Sequence, residues 1–305
     1  MKKEELKSTD FQQLQQNFTN WLETLGYVSS TIYRQPRYVL EFLLWLERQG
    51  ITKANQIQQQ HFFDFLDFFK QRPNKRIKGG LSSAHINKQV NALNRLIEYL
   101  RLNKSIRFSI QLKQIEKETI RKPVILTQAE IQDLYKATDN NLVGMRDRAM
   151  LAVYYGCGLR KSEGLALTVE DVLFDRKQLY VRKAKNKQQR YVPIPDKGLK
   201  DLENYIYSAR PLLIDATSNN NHLFISERGK TLHPESLKNR LDTLRKRSGN
   251  PRLMDTSFGL HSLRHSIATH LLQAGMKLEN IALFLGHKSL DSTQIYTHII
   301  HELEE

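Results

Sequence analysis

Four short stretches hold residue types suited to a phosphate. In Gly156-Cys157-Gly158-Leu159-Arg160-Lys161-Ser162-Glu163, two glycines end one helix and another opens near Arg160. A guanidinium at the positive end of a helix dipole favours an anion, and Glu163, one turn on, is spaced to hold it. A surface Arg–Glu pair would have the same spacing. Lys183, Lys185, Lys187 and Arg190 crowd the tip of a hairpin. An ammonium on a turn reaches into a neighbouring groove and gives up a proton when its pKa falls; a solvated turn is the plainer alternative. In His261-Ser262-Leu263-Arg264-His265, His261 and Arg264 lie three apart and share a helix face. A fixed charge beside a titratable imidazole makes an oxyanion clamp. Last come Leu285-Gly286-His287 and, nine positions on, Tyr296.

These residues need a scaffold, and hydrophobic spacing outlines one. Phe11, Leu14, Phe18, Trp21, Leu22 and Leu25 mark one face of a first helix, with Gly26 as its left-handed stop. A second helix follows Ser29 and Ser30, with Val39, Phe42, Leu43 and Leu46 inward and Gly50 as its stop. A third covers 59–70. Its phenylalanines, from Phe62 to Phe69, read as core rather than as a base-stacking platform. The segment 71–80 is a basic loop punctuated by Pro73 and Gly79-Gly80. Its Arg72, Lys75, Arg76 and Lys78 suit either a solvated turn or phosphate contacts. A fourth helix starts at Ser82 or Ser83 as N-cap.

Residues 112–126 are charged and lack a sustained period, as a linker does. Thr127 and Glu130 then stand at capping-box spacing. The expected division is a helical domain over 1–112, a linker over 113–126 and a larger domain over 127–305. The larger one holds the only strands, in a hairpin over 179–194. Helices are expected around 128–137, 143–156, 198–209, 234–247 and 261–285. The fold class is mainly α with a small β-hairpin sheet.

The chain of 305 residues carries 47 Lys+Arg against 32 Asp+Glu, a formal charge of +15, which points to a polyanionic partner. Apolar residues at 40% and charged ones at 26% are ordinary for a globular protein, so disorder is not the default reading. The single cysteine, Cys157, excludes an internal disulfide framework and a Cys-rich zinc site, and reads as a small buried hydrophobe. No run approaches the ~18 to 20 apolar residues of a membrane span, and the polar start is unlike a secretory signal. A cytoplasmic location is the simplest expectation, with no membrane partner.

Taken in order, GCGLRKSEGLAL, the basic hairpin followed by VPIP, and GLHSLRHSIATHLLQAGMKLENIALFLGHKSLDSTQIYTH closely resemble the signature regions of the tyrosine recombinases of the phage-integrase type. The resemblance covers essentially the whole chain, with a helical core-binding domain before a mixed α/β catalytic domain in a simple Xer-like layout. It implies that Arg160 is the first active-site arginine and Lys185 the hairpin lysine. His261 and Arg264 form the His-x-x-Arg pair, His287 is the second histidine and Tyr296 the nucleophile. It further implies cleavage and rejoining of double-stranded DNA at specific sites through a covalent 3′-phosphotyrosine. No metal or nucleotide cofactor is implied. The partners would be specific DNA sites and a homo-tetramer, or a related recombinase, in the synaptic complex.

The physical logic agrees. A phosphodiester breaks very slowly unaided. Transfer to a side-chain oxygen conserves the ester for rejoining. Two planar guanidiniums clamp the non-bridging oxygens, and a phenol with a pKa near 10 needs help to lose its proton.

Three departures from the family pattern stand out. The glycines usual around the hairpin lysine are replaced by Arg182-Lys183-Ala184-Lys185-Asn186-Lys187. Counting back from Val192-Pro193 selects Lys185, with Lys183 and Lys187 as alternatives. Nine residues follow Tyr296, so an exchanged C-terminal helix is expected to be abbreviated. An arm-binding domain is expected to be absent.

Three other activities compete. One is a non-catalytic DNA-binding regulator derived from a recombinase. Another is a metal-dependent phosphoesterase using His261, His265, His270 and His287, which lacks an acidic base between His261 and His265. The third is a type IB topoisomerase. His265 and His270 read as ordinary helix residues.

Overall fold

The computed structural model describes residues 4–74, 79–116, 123–182, 189–214, 219–287 and Thr293. The chain divides into two compact units, Met1–Arg121 and Lys122–Glu305.

The first unit is helical: α1 (Thr9–Thr24), α2 (Ser29–Arg48), α3 (Gln59–Gln71) and α4 (Ser83–Leu102). Ser8 caps α1 by accepting from the Phe11 N–H, and Ser82 caps α4 by accepting from the His85 N–H. Gly26 and Gly50 take the positive φ that ends α1 and α2. Phe11, Phe18 and Leu22 of α1 are fully buried, as are Phe42 of α2, Phe62 of α3 and Leu93 of α4. Phe42 stacks on Phe62 with centroids 4.7 Å apart.

The phenylalanine run of α3 is core only in part. Phe63 and Phe68 are exposed, because six aromatic or apolar side chains over eight positions cannot share one face of a 3.6-residue helix. Leu25 is also exposed, lying beyond the last turn of α1.

The segment after α4 is fastened to this unit by two side-chain amides that mimic a strand. Asn94 exchanges hydrogen bonds with the backbone of Leu112 at 2.9 and 3.0 Å, and Asn87 with that of Ile115 at 2.8 Å each way. Residues 112–115 thereby belong to the helical unit.

The second unit begins with α5 (Gln128–Lys136), which starts at the Thr127/Glu130 box: the Thr127 N–H donates to Glu130 at 2.8 Å and the Glu130 N–H to Thr127 at 3.2 Å. Next come α6 (Leu142–Leu151), a wider π-helical turn over Ala152–Gly156, and α7 (Lys161–Ala166). A three-stranded antiparallel sheet follows, in the order β1 (Val172–Leu173), β2 (Gln178–Val181), β3 (Arg190–Pro193). The hairpin pairs Leu179 with Val192 and, at its outer end, Val181 with Arg190. Leu179, Val181 and Val192 face the core. The short β1 lies outside the expected hairpin.

Then come α8 (Asp196–Asn204), a second π-helical turn (Tyr205–Ala209), α9 (Arg210–Leu213), α10 (Pro234–Arg247), α11 (Pro251–Asp255), α12 (Leu260–Gln273) and α13 (Leu278–Leu285). The expected helix over 261–285 is in fact two. Gly275 adopts φ 84° and the N–H of Met276 reaches back to the Leu271 carbonyl at 3.0 Å, a cap that ends α12. Leu159, Tyr154, Leu179, Tyr205 and Leu263 are among the fully buried residues of one core. Ala268, Ile281 and Leu285 seal α12 against α13. No helix among the described residues is long and apolar enough to cross a membrane.

Candidate active site

The negative end of α13 organises the site. Its last carbonyls have no intrahelical donor, and the chain leaves through Gly286 in the left-handed conformation, φ 67°. The His287 N–H closes this cap onto the Ala282 carbonyl at 2.9 Å. Three successive carbonyls then accept from three arginines. Phe284 O accepts from Arg190 Nε at 3.2 Å. Leu285 O accepts from Arg264 Nη2 at 2.7 Å and from Arg160 Nη1 at 3.4 Å. Gly286 O accepts from Arg160 Nη2 at 3.0 Å. A helix C-terminus carries partial negative charge, so it favours these cations and sets the plane of each guanidinium.

Arg160 is the N-cap residue of α7, reached through the tight turn at Gly158, φ 60°. Arg264 sits in α12, and its Nη1 donates to the Gly158 carbonyl at 2.6 Å, joining that turn to α13. The i, i+3 spacing places His261 one turn before Arg264 on the same helix. His287 follows the cap directly, and its Nδ1 lies 2.8 Å from the hydroxyl of Thr293, which is fully buried. Arg160, His261, Arg264 and His287, scattered over more than a hundred positions, thus gather around one helix end.

Spacing along the sequence assigns Glu163 only the role of holding Arg160. In the fold it is a hub, with its side chain 1% exposed. It lies 2.8 Å from Arg160, 3.0 Å from Arg190 and 4.0 Å from Arg264. Burial alone would push its carboxyl up, but hydrogen bonds and charge from Arg190 and Arg160 outweigh that and hold it at about 2. The imidazoles move the other way. Burial first, then Arg264 and Arg160, hold His287 at about 4. His265 is likewise held at about 4 by burial, His261 and Arg264. His261 keeps an exposed face; desolvation on its packed side, followed by Arg264 and Arg160, lowers its pKa. The site is therefore strongly cationic through arginine while its histidines stay neutral at neutral pH.

The sequence groups Arg190 with Lys183 and Lys187 as candidate DNA contacts of the hairpin tip. It lies in β3, with its side chain only 11% exposed and turned onto Glu163. The signal was present: Arg190 and Val192 alternate with Tyr191, so period two puts Arg190 on the inward face. Arg72 is also engaged. It ends α3, stacks on Phe69 at 4.8 Å and pairs with Glu41 at 3.4 Å. Lys75, Arg76, Lys78, Lys183, Lys185, Lys187 and Tyr296 lie outside the described residues.

Cys157 is fully buried, as expected of a small apolar side chain. His270 is half committed elsewhere, 2.9 Å from the Tyr155 hydroxyl. No group of three or more metal-ligating side chains occurs among the described residues.

Residues 125–302 match the phage integrase family model. The chain belongs to the phage integrase family. The recombinase is 31% identical over 297 residues to tyrosine recombinase XerC of Bacillus subtilis, covering 96% of this chain and 91% of that one. It is 27% identical to tyrosine recombinase XerD of Listeria monocytogenes, covering 90% and 89%.

Solved structures share its fold. The XerH recombinase bound to palindromic difH, a post-cleavage complex, aligns with a TM-score of 0.70 at 21% identity over 92% of this chain and 81% of that one. The Tn1549 transposon integrase with transposon right end DNA aligns with a TM-score of 0.73 at 18% identity over 93% and 94%. The recombinase is thus a tyrosine site-specific enzyme, mainly helical with one small antiparallel sheet.

Proposed function

We propose that the enzyme cleaves double-stranded DNA at specific sites through a covalent 3′-phosphotyrosine formed on Tyr296, and rejoins it to a new partner strand. The observation that carries this is the convergence of Arg160 and Arg264 on the Leu285 carbonyl, with His261 and His287 beside them.

The phenolic oxygen of Tyr296 attacks phosphorus. The bond from phosphorus to the 5′ oxygen breaks, and the 3′ phosphate remains on the tyrosine. Arg160 and Arg264 are fixed before substrate arrives, so they stabilise the growing charge on the non-bridging oxygens without reorganising. Neutral His261 and His287 accept or share the tyrosyl proton, as a phenol with a pKa near 10 requires. Lys185, with Lys183 and Lys187 as alternatives, protonates the departing 5′ oxygen. Attack by a 5′ hydroxyl of another strand reverses these steps, so the ester energy is conserved and no nucleotide is spent.

The helical unit and the basic surplus engage DNA phosphates, and a tetramer joins two sites. The λ integrase, whose fold this chain shares at a TM-score of 0.65, has been solved as a tetramer on a Holliday junction. The near full-length likeness to XerC and XerD supports resolution of chromosome dimers over integration of a mobile element. A cytoplasmic location follows from such a substrate.

A nicked suicide DNA substrate in EDTA tests the reading. The wild type is expected to give a covalent adduct and Tyr296→Phe none. An adduct that persists in Tyr296→Phe would defeat the assignment of the nucleophile, and binding without an adduct at every site would favour the non-catalytic regulator.

A further inference from the structure

Among the described residues, the last ladder pair of β2 and β3 is Val181 with Arg190; Lys183, Lys185 and Lys187 fall between these two positions in the sequence. Arg190 is the residue at that rung whose side chain leaves the sheet for other elements. Its Nη1 and Nη2 reach the two Glu163 oxygens at 3.3 and 3.0 Å, and its Nε reaches Phe284 O at 3.2 Å. The guanidinium so bridges β3, the first turn of α7 and the last turn of α13. Two of these, α7 and α13, present Arg160 and His287. The fit is close: a Cβ added to Gly286 would stand 2.9 Å from Arg190 Nη1 and 3.0 Å from its Cζ. The bare backbone at Gly286 therefore serves two ends, the left-handed cap and room for this arginine.

We infer that Arg190 is a positioning residue of the reaction, a clasp that fixes the outer end of β3 to the carboxylate partner of Arg160 and to the helix end that presents His287. It touches no substrate atom. It acts by holding β3, α7 and the end of α13 in register around the phosphate clamp. Loss of the clasp leaves each catalytic group present but loosens β3 from α7 and α13, and misplacement of about 1 Å costs on the order of 100-fold in rate. The inference rests on the reading of Arg160, Arg264 and His287 as the catalytic centre.

Single-turnover cleavage of the suicide substrate, followed over a range of enzyme concentration, separates the alternatives. Arg190→Ala is expected to lower the saturated cleavage rate on the order of 10- to 100-fold with the half-saturating concentration unchanged. Arg190→Lys keeps a charge near Glu163 but lacks the planar fork that spans three acceptors, so an intermediate rate is expected even if Arg190→Ala fails to fold. Combining Arg190→Ala with Glu163→Gln is expected to cost less than the product of the two single effects, because both break one network.

A full rate in Arg190→Lys would overturn the bridging geometry. A raised half-saturating concentration at an unchanged saturated rate would make Arg190 a DNA contact and overturn the proposal. A wild type that gives no adduct overturns the catalytic reading and the clasp with it. A wild-type adduct whose rate Arg190→Ala leaves unchanged overturns the clasp alone.

Discussion

Glu163 closes a ring on Arg160: its Oε1 accepts from the Arg160 side chain at 2.8 Å and its Oε2 from the Arg160 backbone N–H at 2.9 Å. One carboxylate thereby starts α7 and locks the guanidinium that leads it. The same group neutralises part of the charge of Arg190 and Arg264, so its loss strands three arginines around one helix end. Removing one partner of a buried ion pair costs about 3 to 5 kcal/mol. Glu163→Ala is expected at the lower end of that range, since Arg160 is 20% exposed. Calorimetric unfolding measures it, and added sulfate is expected to restore part of the loss by supplying the missing negative charge. Unchanged stability would mean that the arginines repel one another little.

Acid is expected to destabilise the fold in two stages. His265 and His287 are held at about 4 against an ordinary 6.5, so between those values the unfolded chain binds protons that the folded one refuses. Stability is full above pH 6.5 and falls as pH drops toward 4. Glu163, held at about 2 against 4.5, adds stability present above 4.5 and lost as pH falls through 2. Thermal midpoints measured from pH 7 to 3 test this. His287→Gln should remove its share of the first stage, leaving that of His265 and the whole of the second, and an identical profile in that variant would refute the assignment.

Much of this arrangement is legible in the chain itself. The Thr127/Glu130 box, the Ser82 cap and the stops at Gly26 and Gly50 are local rules written in adjacent residues, and each is realised. The i, i+3 spacing of His261 and Arg264 needs only a helix. What escapes reading depends on distant partners. The docking of 112–115 uses amides of Asn87 and Asn94, which look like ordinary polar helix residues. The apposition of Arg160 and Arg264 at Leu285 O requires three elements to pack, and no spacing encodes it. Arg190 is a middle case. Alternation with Tyr191 and Val192 puts it on the inward face, whereas its closeness in sequence to Lys183, Lys185 and Lys187 suggests the tip.

Gly158 is expected to tolerate no side chain. It adopts φ 60°, and a Cβ there would stand 2.9 Å from Phe284 Cε1 and 3.0 Å from Leu285 Cδ2. Its carbonyl also accepts from Arg264 at 2.6 Å. Gly158→Ala combines backbone strain with overpacking, each worth about 1 kcal/mol or more. The strain is delivered where Arg264 and Leu285 meet, so the cleavage rate should fall further than the loss of folded protein explains. Comparing single-turnover rates with the folded fraction at one temperature decides it, and equal losses would reduce Gly158 to a structural role.

The basic segment at 71–80 is expected to divide between packing and phosphate. Each phosphate neutralised by a cation adds about 0.9 to the slope of log affinity against log salt. Arg72 is already occupied by Phe69 and Glu41, so Arg72→Ala should lower the unfolding midpoint and leave that slope alone. Lys75, Arg76 and Lys78 follow it in the stretch 71–80, which contains no Asp or Glu. Substituting each by alanine should reduce the slope by about 0.9 for every phosphate left without its cation, and weaken binding to specific and random DNA alike. Salt titrations of DNA affinity for the four variants measure this directly. A slope that falls for Arg72→Ala and holds for the other three would reverse the division, making the packed arginine the phosphate ligand and the loop a solvated turn.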